Sequence, residues 1–137
     1  MPSLPPGIAE ERLAQARVGR LATVTAAGRP HIVPVCFVLH DGAVYSAVDA
    51  KPKATSALAR LDNVRATGRA SLLADHYEED WTRLWWVRVE GAAEVVESEP
   101  AIDALTAKYE PYRAQRPGGP LIAITPERWR SWTAATS

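Results

Sequence analysis

The run from His31 to Leu39 constrains the fold of this chain more than any other stretch, because it is apolar on both faces of an extended backbone. Successive side chains of a strand point to opposite faces. One face would carry Val33, Val35, Phe37 and Leu39, and the other would carry Ile32, Cys36 and Val38. A strand that buries both faces belongs in a barrel or in a sheet wrapped by other elements. Pro34 lacks an N–H, which predicts a bulge or a side of the strand that does not pair.

Turn residues on either side of this run divide the chain into short strands and helices. Gly28 can adopt a positive φ in one turn, and Asp41-Gly42 favours a hairpin. Strands are predicted at Leu21–Thr25, His31–Leu39, Ala43–Val48, Ala70–Asp75, Leu84–Glu97 and Leu121–Thr125. Helices are predicted from Ile8 to near Gly19, after Lys53, and after the capping residue Ser98.

These elements predict one mainly β (α+β) domain over residues 1–137, a six-stranded β-barrel with short helices on its rim. Three prolines in residues 1–7 predict a loose N-terminal arm, and the composition of residues 63–69 favours a turn-rich connection. Gly91 predicts a bulge midway along the longest strand. Residues 126–132 are expected to form a tail after the last strand, because Pro126 follows it.

The junction between the third strand and the next helix has the composition of an anion site. Lys51 and Lys53 flank Pro52, and the hydroxyl residues Thr55 and Ser56 follow where the helix is predicted to begin. A helix start presents unpaired N–H groups and a partial positive charge, to which two lysines would add full charges. A phosphate would be held well there. The alternative is a solvated loop whose lysines contact nothing, since surface lysine is the rule.

Composition excludes several classes of function. Lys plus Arg and Asp plus Glu both total 16, so nothing favours nucleic acid as a partner. The first half of the chain is basic and the second acidic, which would help two copies associate, although scattered surface charge explains it equally well. The single Cys36 excludes an internal disulfide. No apolar stretch reaches about 18 residues and no signal pattern opens the chain, so we expect a cytoplasmic protein without a membrane segment.

Metal and hydrolase chemistry are poorly supported. His76 stands beside the carboxylates of Asp75, Glu78, Glu79 and Asp80, but one histidine in a run without fixed spacing is a weak metal signal. The serines and Cys36 have no nucleophile elbow or base partner in the sequence. No metal site and no catalytic residue is therefore predicted.

Tryptophan is abundant, with five copies in the chain. Trp85 and Trp86 are consecutive on a predicted strand, so only one of them can point into a barrel. The other would lie at the surface or at a subunit interface, where tryptophan is favoured. Plain core or dimer packing of both is the alternative.

Several local strings resemble one known family. They are Gly28-Arg-Pro-His-Ile-Val-Pro-Val, the strand that leads to Lys51-Pro-Lys53, and Gly68-Arg-Ala-Ser-Leu-Leu-Ala-Asp75. Together they are similar to the split-barrel flavin- and deazaflavin-binding proteins related to pyridoxamine 5′-phosphate oxidase. The strings Asp75-His-Tyr-Glu-Glu-Asp-Trp81 and Arg83-Leu-Trp-Trp-Val-Arg88 look most like the actinobacterial branch of probable F-420-dependent enzymes.

The resemblance implies a six-stranded FMN-binding split barrel and a homodimer with the cofactor at the subunit interface. It implies coenzyme F-420, with FMN as the alternative, and hydride transfer to or from a small-molecule substrate. A non-catalytic F-420 carrier or storage protein is a further alternative. The lysine that holds the cofactor phosphate falls on Lys53, a hydroxyl position of the family falls on Lys51, and the segment lining the ring falls on residues 31–36. The full set of predicted cofactor-binding residues is His31, Val33, Pro34, Val35, Cys36, Val48, Asp49, Lys51, Pro52, Lys53, Thr55, Ser56, Trp85 and Trp86.

Two positions depart from the pattern of the oxidases. His31 stands where they have an arginine, and Ser46-Ala-Val-Asp49 stands where they have Tyr-Thr-Asn-Tyr. These departures favour an FMN or F-420 pocket over pyridoxamine phosphate oxidation.

Overall fold

The computed structural model describes residues 2–48 and 55–135, with the backbone alone for residues 55–57. The helices are α1 (Pro6–Gln15), α2 (Thr55–Thr67), α3 (Glu99–Lys108) and α4 (Glu110–Ala114), and Trp81–Arg83 form one turn of 3-10 helix. The strands are β1 (Gly19–Val24), β2 (Pro30–Val35), β3 (Val38–His40), β4 (Ala43–Ala47), β5 (Arg69–His76), β6 (Trp85–Val96) and β7 (Leu121–Thr133). Within the described residues no helix is long and apolar enough to cross a membrane.

The described strands form one antiparallel sheet in the order β2-β1-β5-β6-β7-β4-β3, curled into a half-barrel. The predicted mainly β barrel with short helices is therefore confirmed, with seven strands in place of six. The main core lies on the concave side, where α1 contributes Leu13 and α2 contributes Leu61 and Val64. A second core cluster packs α3 against the β3 end of the sheet through Leu105 and Leu121.

The additional strand arises because the predicted strand His31–Leu39 is broken at Cys36 and Phe37. Ser46 Oγ donates to the Cys36 carbonyl at 2.9 Å, and the Phe37 N–H donates to the Tyr109 hydroxyl at 3.0 Å. These backbone groups are bonded by side chains rather than by a neighbouring strand. The chain can therefore leave β2 at one edge of the sheet and enter β3 at the other.

The prediction that this run buries both faces is wrong for β2. Its residues alternate, with Pro30, Ile32 and Pro34 exposed, and Ile32 is 64% exposed. β2 is an edge strand that pairs with β1 alone, so only the face toward the core is covered within one chain. An edge strand also explains why it tolerates two prolines.

The Gly91 bulge is confirmed, and it explains why the predicted tail is a strand. The register between β6 and β7 shifts between Glu90 and Gly91, and Pro126 lies opposite Gly91. Proline fits inside a central strand at such an irregularity, where a ladder hydrogen bond is already missing. β7 therefore continues beyond Pro126 to Thr133, with every residue from Arg128 onward paired to β6.

Two more local predictions are corrected. Residues 63–67 belong to α2 rather than to a turn, because Asn63 Nδ2 donates to Thr23 Oγ1 at 3.0 Å in a buried contact. Gly68, with φ of +67°, ends that helix. The N-terminal arm is not loose: Leu4 N donates to Ser131 Oγ at 2.9 Å, and Leu4 packs against the main core.

The cap of α3 is confirmed. Ser98 Oγ accepts a hydrogen bond from Ala101 N at 3.2 Å, which satisfies one free N–H of the first turn. The predicted apolar stripe is buried, with Ile102 and Leu105 on the helix and Tyr109 directly after it.

Candidate functional site

The predicted ring-lining segment is β2 and its end at the free edge of the sheet. The side chains of His31, Val33 and Val35 point toward the core side, and Val35 is buried. Val35 and Val48 belong to the main core cluster, and Val33 packs against it. On the side away from β1, the backbone of β2 has no strand partner within the described chain. This edge can offer backbone hydrogen bonds to a ligand.

His31 contributes an unusual feature to this edge. Its Nδ1 atom is buried and has no hydrogen-bond partner among residues 2–48 and 55–135. A buried polar atom without a partner is unfavourable, and most such atoms in proteins are paired. Because the atom is also shielded from solvent, a polar group of a bound molecule would pair with it only after the imidazole turns.

The phosphate-binding part of the predicted site lies mostly outside the described residues. This holds for Asp49, Lys51, Pro52 and Lys53. Thr55 and Ser56 form the first turn of α2, as the sequence predicts, and their side chains are not described. Val48, directly before the gap, is buried, and its N–H donates to the Pro120 carbonyl at 3.3 Å.

Trp85 and Trp86 lie on opposite faces of β6. Trp85 packs against the main core and carries the Arg12 guanidinium above its ring, 5.2 Å from the centroid. Trp86 is on the convex outer face, where the guanidinium of Arg88 lies 5.3 Å from its ring centroid. Its rung partners are Asp75 and Trp132.

Within one chain, the predicted residues separate into different places. Ala22 of β1, Ser71 of β5 and Glu90 of β6 are paired directly across the sheet. His31 of β2 is paired with Thr23, the residue after Ala22. Trp85 is five residues from Glu90 along β6, which corresponds to about 17 Å of strand. His31 and Trp85 therefore do not line one pocket of a single chain. Cys36 lies apart from both, packed against the second core cluster.

The outer face of the sheet mixes apolar and charged side chains. Ile32 lies opposite Ala22, Leu73 lies between Arg20 and Arg88, and Trp86 lies between Asp75 and Trp132. Ile32 is 64% and Val24 42% exposed. Arg88 pairs with Glu90 at 2.8 Å and Arg20 with Asp75 at 3.8 Å, whereas Arg128 and Arg130 of β7 make no ion pair among the described residues.

Sequence reasoning missed a cluster at the break between β2 and β3. Lys108 Nζ donates to the Phe37 carbonyl at 2.8 Å, and its ammonium lies 4.0 Å from the Phe37 ring centroid. The guanidinium of Arg17 is 5.1 Å from the Tyr109 ring centroid and donates to the Lys108 carbonyl at 2.9 Å. No sequence signal marks this cluster, because a lysine in the last turn of a helix is ordinarily a solvated end group.

Burial gives Lys108 an unusual proton affinity. The pKa of its ammonium is lowered from 10.5 to about 8, mainly by desolvation and secondly by the charge of Arg17, against an opposing effect of Cys36. Desolvation also raises the pKa of the Tyr109 hydroxyl. Both shifts disfavour the charged form of a half-buried group.

We expect the free energy of unfolding to rise with pH between about 8 and the ordinary lysine pKa of 10.5. In that range the unfolded chain binds more protons at Lys108 than the folded chain, so raising the pH favours folding. Lys108→Met should flatten this rise. Urea unfolding of both proteins between about pH 7.5 and 9.5 measures the difference below the range where tyrosine titrates. Parallel pH profiles of the two proteins would contradict the assignment.

The half-barrel and its edge strand define a class of mainly antiparallel split-barrel proteins, and comparison with known proteins identifies the family. The family model of pyridoxamine 5′-phosphate oxidase matches residues 7–133. The chain belongs to this family. No curated protein matches it at a significant level.

Solved structures share the fold along nearly the whole chain. A conserved hypothetical protein of Mycobacterium tuberculosis is 24% identical with a TM-score of 0.76, covering 98% of this chain and 87% of its own. An FAD-binding protein of Mycobacterium smegmatis is 20% identical with a TM-score of 0.66, covering 96% and 97%. A heme storage protein of Vibrio cholerae is 19% identical with a TM-score of 0.71, covering 96% and 95%. At these identities the likeness concerns the fold.

Proposed function

We propose that this chain forms a homodimer that binds coenzyme F-420 at the subunit interface and transfers hydride between the cofactor and a small-molecule substrate. The observation that carries the proposal is the free edge of β2, with its unpaired backbone and the buried, unpartnered Nδ1 of His31. A flavin-like ring is apolar in its middle and needs hydrogen bonds at its edges. Membership of the family supports a cofactor at this place.

The choice of F-420 rests on the strings Asp75–Trp81 and Arg83–Arg88, which resemble the F-420 branch of the family. FMN is the second candidate, because the fold neighbours include a protein described as FAD-binding. A carrier or storage role is the third, because another neighbour is described as a heme storage protein.

When bound, a deazaflavin supplies a carbon that accepts or donates hydride. The chain itself would bind the cofactor, orient its ring toward the substrate and exclude water from the site. The β2 edge would hold the ring edges, and Val33, Val35 and Val48 would form an apolar wall that excludes water. Lys53 would pair with the phosphate, which the helix start of α2 favours further.

Turnover separates an enzyme from a carrier. The purified chain is mixed with reduced F-420 and a panel of quinones and unsaturated carbonyl compounds, and the oxidised cofactor is followed by its absorbance. Multiple turnovers above the rate without protein support an oxidoreductase. Tight binding with no turnover on any acceptor supports a carrier instead.

The homodimer is proposed on the outer sheet face. This face carries the large apolar side chains of Ile32, Val24, Leu73, Trp86 and Trp132, and aromatic residues are enriched at protein interfaces. Two of its ion pairs are already formed within the chain, so covering them would not leave those ions unpaired. If Trp86 contacts the cofactor bound by the other subunit, His31 and a tryptophan can belong to one cofactor site although they lie far apart within one chain.

We expect Trp86→Ala to weaken dimerisation, and with it cofactor binding, by about 1–3 kcal/mol, the range for truncating an aromatic anchor at an interface. Sedimentation over a concentration series and a cofactor titration measure the two effects. Trp81→Ala is the matched control, because Trp81 is 74% exposed on the 3-10 turn. A wild-type chain that is monomeric at micromolar concentration would overturn the dimer. Unchanged association and cofactor affinity of Trp86→Ala would remove Trp86 from the interface.

A further inference from the structure

A cleft of about 490 Å³ lies where α1, the end of β5, the 3-10 turn and the start of β6 meet. It is lined by Arg12, His76, Thr82, Arg83, Trp85, Thr133 and Ala135. These residues include two guanidinium groups, one imidazole and two hydroxyls, and none of them is acidic. The lining therefore favours a negatively charged occupant.

Trp85 provides a flat apolar wall of this cleft. The side chain is half-buried and packs against the main core, which holds the ring in place. The guanidinium carbon of Arg12 is 5.2 Å from the ring centroid, within the range of a cation–π contact. Arg12 makes no ion pair within the described part of the chain. Its charge is therefore available to a ligand that lies against the tryptophan.

Arg83 is fixed by the turn that carries it. Asp80 Oδ1 accepts hydrogen bonds from the N–H of Thr82 at 3.1 Å and from its hydroxyl at 2.6 Å. These bonds hold the 3-10 turn, and they lower the pKa of the Asp80 carboxyl. Arg83 Nε lies 3.6 Å from a Glu78 carboxylate oxygen, which also contacts His76 Nε2.

The charges around the cleft match a ligand with one negative charge. Arg12 and Arg83 contribute two positive charges, and both Glu78 and the Asp80 carboxylate act on Arg83. Arg12 is the cation of the cleft that pairs with no carboxylate of the described residues. A monoanion would balance this charge, and an aromatic ring would use the wall formed by Trp85.

We propose that this cleft binds a small planar organic monoanion, such as an aromatic carboxylate, with its ring against Trp85 and its acid group on Arg12 and Arg83. The site uses α1, the end of β5 and the 3-10 turn, and it includes none of the β2 residues proposed to hold the cofactor. It shares Trp85 with the residues that the family resemblance assigns to the cofactor, and the arginine variants below test it apart from the β2 edge.

The test is calorimetric titration of the cofactor-free chain with 2-naphthoate, and with 2-naphthamide as the neutral analogue. We expect one naphthoate per chain and at least about tenfold weaker binding of the amide, because a charged acceptor strengthens a hydrogen bond to arginine. Arg12→Gln and Arg83→Gln should each weaken naphthoate binding by about tenfold or more, the effect of removing a charge-assisted contact. Arg65→Gln, on α2 and exposed, is the matched control and should bind as the wild type does.

Arg83 is exposed and Arg12 is half-buried against Trp85, so a thermal melt of each variant verifies that it is folded. Equal affinity for naphthoate and naphthamide would overturn the charge recognition. Wild-type affinity in both arginine variants would overturn the placement of the acid group. No heat of binding and no chemical-shift change with naphthoate at millimolar concentration would overturn the site itself.

Discussion

Replacing Gly91 with alanine is expected to lower the free energy of unfolding by on the order of 3 kcal/mol, the upper part of the range for overpacking. A Cβ at Gly91 would lie 1.9 Å from the Thr125 carbonyl oxygen and 3.0 Å from Glu127 N. Both atoms belong to the backbone of β7, so no side chain can rotate out of the way. The bulge between β6 and β7 must open, and these two strands hold the centre of the sheet.

Two other glycines provide a graded control. A Cβ at Gly19 would meet Leu72 Cδ1 at 2.8 Å and Phe37 Cδ1 at 3.0 Å, which are side-chain atoms that can shift. A Cβ at Gly7 meets nothing within 4 Å, and Gly7 is in the first turn of α1. Urea unfolding should rank the losses of stability as Gly91→Ala, then Gly19→Ala, then Gly7→Ala, with the last close to zero or slightly stabilising. Wild-type stability of Gly91→Ala would mean that the two strands do not approach each other in this way.

Lys53→Ala is expected to weaken cofactor binding more than Lys51→Ala does. If Lys53 pairs directly with the cofactor phosphate, as the family resemblance implies, its loss leaves a charged group unpaired and costs about 1.5–3 kcal/mol. A second cation at a solvated distance contributes only a few tenths to about 1 kcal/mol. The contribution of Lys51 should also decrease at high salt, since screening acts within about 8–10 Å, whereas that of Lys53 should persist.

Cofactor titrations of both variants at low and high ionic strength test which lysine contributes more to binding. A thermal melt first verifies that each variant is folded. Equal and salt-sensitive losses would indicate a diffuse basic patch. Unchanged affinity in both variants would remove this stretch from the binding site.

The succession of strands along the sequence was predictable where the turn residues and the alternation of apolar and polar residues indicate the same strand boundaries. Asp41-Gly42 does join β3 to β4, and Ser98 does cap α3. Gly91 marks the bulge that the sequence predicts. In each of these places a local rule decides the conformation, and no distant residue opposes it.

Predictions failed where a distant contact determines the backbone. The break at Cys36 and Phe37 depends on Tyr109 and Lys108, which are about 70 residues further along the chain. The extension of β7 beyond Pro126 depends on the partner strand β6. Helix α2 includes Asn63 because its amide is bonded to Thr23. Propensity alone cannot anticipate such pairings.

The candidate site was predictable only in part, for the same reason. The residue pattern indicates that Trp85 and Trp86 face opposite sides, and they do. It cannot show that His31 and Trp85 lie far apart along the sheet, since that depends on the pairing of β2 with β1 and of β5 with β6. The cleft also joins Arg12 of α1 to His76 of β5 and Arg83 of the 3-10 turn, which are distant from α1 in sequence.

The measurement that tests the central proposal most directly is a pair of calorimetric titrations of the purified chain, one with F-420 and one with FMN. We expect saturable binding of one F-420 per chain, with FMN binding more weakly. His31→Phe should reduce the affinity for F-420, because it removes the polar atom at the β2 edge while keeping a planar side chain. Tight FMN binding with none for F-420 would overturn the choice of cofactor, and binding of neither would contradict a cofactor site on this half-barrel.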